Sequence, residues 1–164
     1  MSKAFTRESD DAPDPGLRPR VVSPLPPGAK NYLTPDGARR LQAELDQLRQ
    51  QRALEKNSPN DSADRQMLRL QHALVTAVVT PAPPPPWDQV RFGATVTVRH
   101  TNGEESVYRI VGVDETDVDR GWVSWLSPIA KALLNTRRGA KVRFKFPSGD
   151  EELEIVAVTF ELGR

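Results

Sequence analysis

The chain of 164 residues contains no cysteine. That excludes disulfides and thiolate metal centres, and it suits a reducing compartment. Only two histidines occur, His72 and His100. His72 falls between seam residues of a helical pattern, and His100 stands beside an Asn102-Gly103 turn, so both read as surface side chains. There is no glycine-rich phosphate loop and no His/Asp/Glu spacing that suits a metal. The chain is accordingly expected not to be an enzyme and to carry neither cofactor nor resident metal. No apolar run approaches a membrane span, and the N-terminus has no signal-like apolar stretch. A soluble cytoplasmic protein is expected. The net charge of +1 gives no global pull toward nucleic acid, so any such affinity must come from a local patch. A hydrophobic share of 37% is thin for one globule of this length, which places part of the chain outside any core.

What is present is organised around residues 31–79. Leu41, Leu45 and Leu48 recur at steps of four and three, and Ala63, Met67, Leu70, Leu74 and Ala77 continue that alternation as an a/d seam. Between them Lys56-Asn57-Ser58-Pro59 has turn chemistry, with Ser58 as helix cap, Pro59 at the first helical position and Asp61 in the first turn. The spacing predicts an antiparallel helical hairpin with arms of roughly 20 residues, or roughly 30 Å. Thr34 caps the first arm, Pro35 follows it, and Leu33 staples against Ala38; Gly37 in the first turn costs helix propensity. The seam fails at Arg52 and Glu55, so the arms pack best at their base. Two such helices are marginal alone, so the base is expected to dock on a body.

The remaining organisation follows from composition. Residues 1–29 are rich in Pro, Asp, Ser and Arg and are expected to be a disordered tail, with polyproline-like character at Pro24-Leu25-Pro26-Pro27. Residues 30–80 form the hairpin. Residues 81–87 are a stiff proline spacer. Residues 88–164 read as a small antiparallel sheet domain: strands at 94–99, 106–113, 122–126, 142–146 and 153–160, with a short helix opened by Ser127-Pro128. In the last strand, Leu153, Ile155, Ala157 and Thr159 are assigned to one face. The fold class is α+β.

Two clusters could carry chemistry. Glu55, Asp61 and Asp64 gather at the hairpin tip, with the last two one turn apart. They can offer hard oxygens to a divalent cation, although acids in a first helical turn are also favoured by the helix dipole, and capping is the preferred reading. The second cluster holds Lys131, Arg137, Arg138, Lys141, Arg143 and Lys145 with no acid between. It suits phosphates or an acidic protein surface, and equally a strand edge guarded by cations.

The order of segments resembles the Gre transcript-cleavage factors, nearest the GreB-like branch. The resemblance rests on Met1-Ser2-Lys3-Ala4-Phe5-Thr6 and on Pro26-Pro27-Gly28-Ala29-Lys30-Asn31-Tyr32-Leu33-Thr34-Pro35-Asp36-Gly37. It continues through Phe92-Gly93-Ala94-Thr95-Val96, Tyr108-Arg109-Ile110-Val111-Gly112-Val113-Asp114-Glu115 and Ser127-Pro128-Ile129-Ala130-Lys131-Ala132-Leu133-Leu134. It implies a coiled-coil hairpin followed by an FKBP-like domain that binds bacterial RNA polymerase as a monomer at the rim of the secondary channel. The hairpin enters the channel, and its tip acids help hold the metal that cleaves backtracked RNA. The docking residues it implies are Ser127, Pro128, Ile129, Ala130 and Leu133, with Arg137 and Arg138 as electrostatic support.

The departure from the family falls at the tip. Asn57-Ser58-Pro59-Asn60-Asp61-Ser62-Ala63-Asp64-Arg65 puts Ser58 where the family has an acid and Asp61 where it has glutamate. Asp64 is kept, and Arg65 replaces an aromatic. Both arms fall about three turns short, roughly 16 Å. Since metal-assisted chemistry depends on placement, a polymerase-binding regulator without cleavage activity is expected. The alternatives are a working cleavage factor using Asp61 and Asp64, a nucleic-acid binder using the basic run, and, by fold analogy alone, a prolyl isomerase.

Overall fold

The computed structural model describes residues 25–55 and 59–162. The tail expected at 1–29 therefore lies mostly outside the described residues, as does the proposed cap Ser58. The first arm, α1 (Pro35–Leu54), begins where local chemistry says it should. Thr34 Oγ1 accepts the Gly37 N–H at 3.0 Å, and Pro35 occupies the first turn, where no helical donor is lost. The second arm, α2 (Asp61–Thr76), is capped by Asn60, whose Oδ1 accepts the Ala63 N–H at 3.2 Å. Pro59 precedes this cap rather than following it.

Leu41 and Leu45 of α1 pack against Leu70 and Ala73 of α2, with Leu33 closing the base and Leu48, Met67 and Leu74 at the margins. Each fully buried leucine contributes roughly 1.5–3 kcal/mol, so this small seam suffices only with help from the base. That help takes a form the periodicity does not contain. Strand β1 (Asn31–Leu33) pairs in parallel with β2 (Ala77–Val79), joining the two ends of the hairpin. The seam extrapolated to Ala77 is thus corrected: the helix stops at Thr76, and the β-branched Val78 and Val79 continue as strand. Asn31 Nδ2 donates to the Ala73 carbonyl at 3.1 Å, which satisfies one of the carbonyls left open at the helix end. At 16 residues α2 spans roughly 24 Å, shorter than the 20 residues of α1.

The sheet domain holds β3 (Ala94–Arg99), β4 (Glu105–Val111), β5 (Trp122–Ser124), β6 (Lys141–Phe146) and β7 (Gly149–Phe160), with α3 (Pro128–Leu133) between β5 and β6. The strand order is β5-β4-β3-β7-β6. Four of the strands are antiparallel neighbours, but β5 runs parallel to β4. The sheet is therefore not wholly antiparallel. One face packs Val96, Val98, Ile110, Leu153 and Ile155 against Ala130 and Leu133 of α3. Along β7 the buried residues are Leu153, Ile155, Val158 and Phe160, while Thr159 is exposed. The expected single-face series fails because the pairing with β3 skips Val156, a bulge that resets the side-chain parity.

The spacer folds back on this domain. Trp87 Nε1 donates to the Pro83 carbonyl at 2.9 Å, its ring stacks obliquely on Phe160 at 5.7 Å, and Ala82 packs at the core margin.

Candidate functional site

Three places bear on function: the hairpin tip, the joint between hairpin and sheet, and the surface around α3.

At the tip, Asp61 opens α2 with its carboxylate exposed and without a partner among the described residues. Asp64 is differently placed. Arg52 grips it as a fork, Nε to Oδ1 at 2.9 Å and Nη2 to Oδ2 at 3.0 Å. Arg52 looked like a defect in the seam, yet it is what ties the two arms beyond the last leucine. A second tie lies lower, where Gln66 Nε2 donates to Glu44 Oε1 at 2.7 Å. Among the described residues no group of three His, Asp or Glu side chains could hold a metal ion. With Asp64 neutralised by a guanidinium, the donor set of the described tip does not make a cation site by itself; the exposed carboxylates of Asp61 and Glu55 have no partner among the described residues.

At the joint, the decisive residue is Glu115, which the sequence did not single out. Its side chain is 1% exposed, and it lies in a short 3-10 turn (Val113–Glu115). Glu115 Oε2 accepts the N–H of Thr34 and of Gly112, each at 2.9 Å, and its Oε1 accepts the Thr34 hydroxyl. Arg40 Nη2 of α1 stands 3.7 Å from the same Oε1. The carboxylate therefore joins the first turn of the hairpin to the sheet domain. Tyr32 adds ring contacts to Phe92 and Trp125 at 5.6 and 5.2 Å. Trp122 sits among three guanidinium groups, Arg40, Arg109 and Arg120, at 4.5, 4.8 and 5.1 Å, so α1 is also held by a cation–π contact.

Around α3 the implied docking residues separate. Ser127 Oγ accepts the Ala130 N–H at 3.3 Å and caps the helix. Pro128 is exposed and Ile129 half-buried. Ala130 and Leu133 are fully buried in the sheet core, which corrects their assignment as contact residues: they hold the helix from below. Arg137 is exposed and pairs with Asp88 at 3.2 Å; Arg138 is exposed. Beside the helix an apolar groove of about 460 Å³ is lined by Val113, Val118, Trp122, Val123, Leu126 and Pro128, with Trp122 as the one aromatic among the described residues.

The strand half of the basic run is balanced by acids once the register is known, while Lys131 and Arg138 stay exposed outside it. Lys141, Arg143 and Lys145 on β6 stand opposite Glu154, Glu152 and Asp150 on β7. Lys141 Nζ reaches Glu152 at 3.1 Å, and that hydrogen bond raises the ammonium's pKa above its ordinary value. The face is a charge-balanced ladder along the β6 edge, which suits a guarded strand better than a phosphate surface.

His100 is likewise no free surface histidine. Its Nδ1 lies 3.0 Å from Glu151 Oε1, its Nε2 lies 2.8 Å from Ser106 Oγ, and its ring packs on Phe146 at 5.9 Å. The hydrogen bond to His100 is the main reason the Glu151 carboxyl is held below the usual range, helped by the Thr101 amide. A lowered folded-state pKa stabilises fully above the ordinary value of 4.5 and is lost as pH falls through the lowered one. The gap in urea midpoint between the native chain and Glu151→Gln should therefore hold at pH 7 and narrow steadily below pH 4.5.

The comparisons with known proteins agree on one family. "Transcription elongation factor, GreA/GreB, C-term" matches residues 84–160. The "Transcription elongation factor GreB" of Neisseria meningitidis serogroup B is 35% identical over 154 residues, covering 80% of this chain and 94% of the relative. The chain belongs to the Gre family of transcription elongation factors. The GreA of Trichlorobacter lovleyi is 44% identical over 75 residues, 45% of this chain and 48% of that one. Among solved structures, the chain is similar to the "Prokaryotic transcription elongation factor GreA/GreB" from Nitrosomonas europaea, with 26% identity, 80% and 100% coverage and a TM-score of 0.44.

Family membership overturns the expectation that the chain is not an enzyme, because Gre factors stimulate hydrolytic cleavage of the transcript. Arm length alone does not set the reach of the tip. Reach also depends on where the sheet domain sits on its partner and on the angle that the Glu115 joint imposes. Among the described residues no helix of this Gre factor is long and apolar enough to cross a membrane.

Proposed function

We propose that this Gre factor acts in the cytoplasm on bacterial RNA polymerase, docking its sheet domain at the rim of the secondary channel. The hairpin then enters the channel and acts on the transcript through its tip. The first turn of α3 carries the reading: the exposed Pro128 follows the half-buried cap Ser127 on a helix whose underside, Ala130 and Leu133, is anchored in the core. Ile129 borders this surface, and the exposed Arg137 and Arg138 follow within a few residues. In transcript cleavage the leading group on this chain is Asp61, because its carboxylate is open whereas that of Asp64 is taken up by Arg52. Asp64 serves to fix the tip.

The test is RNA cleavage on a stalled, backtracked elongation complex, with polymerase affinity measured in parallel. Asp61→Ala should lower the cleavage rate by a factor of about 100 and leave affinity unchanged, the size of loss typical when one charge-stabilising group is removed. Pro128→Asp should weaken polymerase binding. Native binding without cleavage would overturn the assignment of Asp61, and absence of binding would overturn the polymerase reading itself.

A further inference from the structure

Three polar side chains meet beside the turn that joins β3 to β4. His100 follows β3, Ser106 stands on β4 and Glu151 on β7. His100 Nδ1 lies 3.0 Å from Glu151 Oε1, and its Nε2 lies 2.8 Å from Ser106 Oγ. The carboxylate is fixed in turn by the Thr101 amide at 3.2 Å and the Thr101 hydroxyl at 3.3 Å. These partners decide where the protons sit. Glu151 stays ionised at neutral pH because His100 and Thr101 hold its carboxyl below the usual range. An ionised carboxylate can only accept, so Nδ1 of the neutral ring carries the hydrogen and donates it to Glu151. Nε2 is then a bare lone pair, and it accepts from the Ser106 hydroxyl. A serine hydrogen-bonded to a histidine whose far nitrogen is oriented by a carboxylate is the arrangement that turns a hydroxyl into a nucleophile on unrelated folds. The cluster is open to a small reagent: the His100 and Glu151 side chains are 15% and 24% exposed, and Ser106 is half-buried.

We propose that Ser106 is an acyl-acceptor site, its Oγ taking one short acyl group from an activated ester. Oγ attacks the carbonyl carbon while His100 Nε2 takes the hydroxyl proton. The bond from that carbon to the leaving oxygen breaks, and the leaving group departs with the proton from Nε2. The products are a serine ester and a free alcohol, with no change of oxidation state. Glu151 is a positioning residue: it keeps the Nδ1–H tautomer and steadies the imidazolium while the proton is in transit. The His100 ring packs on Phe146 at 5.9 Å, and Phe144 stands against Phe146 at 4.7 Å, so an apolar acyl chain suits the surroundings better than a charged one. Activation of the nucleophile is what this geometry supplies, and the inference is therefore one acyl group accepted per chain rather than turnover. Ser106 lies roughly 20 Å along β4 from Gly112 and the Glu115 joint, so the site stands apart from docking and cleavage.

The test treats the full chain with para-nitrophenyl acetate, follows nitrophenolate release in time and locates the acetyl group by peptide mass. No cysteine is present to compete for the reagent. Ser62 and Ser148, both exposed, serve as references within the same molecule. Ser106 should be acetylated faster than either by about 100-fold, the lower end of what a positioned general base contributes. His100→Gln should remove that advantage, and Ser106→Ala should abolish the rapid phase. In Glu151→Gln the nitrogen NMR shifts of His100 should move toward the Nε2–H tautomer while the acetylation rate falls by about tenfold, a pairing that a purely structural carboxylate would not produce. Native Ser106 reacting no faster than Ser62 and Ser148 overturns the proposal without recourse to any variant. An acetyl group found on His100 makes the imidazole the nucleophile and overturns the assignment of Ser106. Labelling confined to lysines, or a rapid phase that survives Ser106→Ala, overturns it too.

Discussion

Gly37→Ala should destabilise this protein by about 3 kcal/mol, although in an exposed helix the same change stabilises by about 1 kcal/mol. The reason is the distance of closest approach at the joint. A Cβ at position 37 would stand 1.8 Å from Glu115 Oε1 and 2.2 Å from its Cδ. An exposed carboxylate would swing aside. This one is held by two backbone N–H groups and a hydroxyl, and it cannot leave without stranding them in a buried site. Either the first turn of α1 lifts from the sheet or the hydrogen bonds break. Urea unfolding of the native chain and the variant measures the effect. A stabilised variant would mean that Glu115 has somewhere else to go.

The second large effect is expected at Glu115 itself. Glu115→Ala removes an acceptor that serves Thr34 and Gly112, and it leaves Arg40 with Asp36 as its remaining acid. Losing one side of a buried, charge-assisted set costs about 3–5 kcal/mol. Glu115→Gln keeps the shape and one acceptor oxygen but turns an amide NH₂ toward donors, so it should fall between the two. Hydrogen exchange separates loss of the joint from global unfolding. In the glutamine variant the Thr34 and Gly112 amides should exchange faster, while those of β3 and β7 stay protected. In transcript cleavage the same variant should lower the rate while polymerase affinity is retained.

The sequence made legible what is decided locally. Thr34-Pro35 and Ser127-Pro128 announce helix starts through side chains that cap within three residues, and Leu41, Leu45 and Leu70 mark a seam by spacing alone. What escaped depends on partners distant in the chain. Glu115 reads as one more acid after Asp114, and its burial follows from donors 81 residues away in Thr34. Lys141, Arg143 and Lys145 look like the end of a basic run only until the β6–β7 register sets an acid opposite each of them. Arg52 looks like a break in an apolar series because its partner, Asp64, is on the other arm. Ala130 and Leu133 share a short motif with Pro128, yet a six-residue helix turns them to opposite sides. The β7 parity was unreadable because a bulge leaves no local signature in Ile155-Val156-Ala157.

The parallel pairing of β1 with β2 has a mechanical consequence. Because both ends of the hairpin are fastened to each other at the base, and the base is fastened to the sheet at Glu115, the arms behave as one rigid lever with a single fulcrum. A tilt of about 5° at that fulcrum sweeps the end of a roughly 30 Å arm through about 2.6 Å, more than the ~1 Å misplacement that can cost a reaction a hundredfold. If the hairpin acts on the transcript as proposed, Gly37 and Glu115 aim it from the fulcrum, and substitutions there will displace the tip before they unfold the chain.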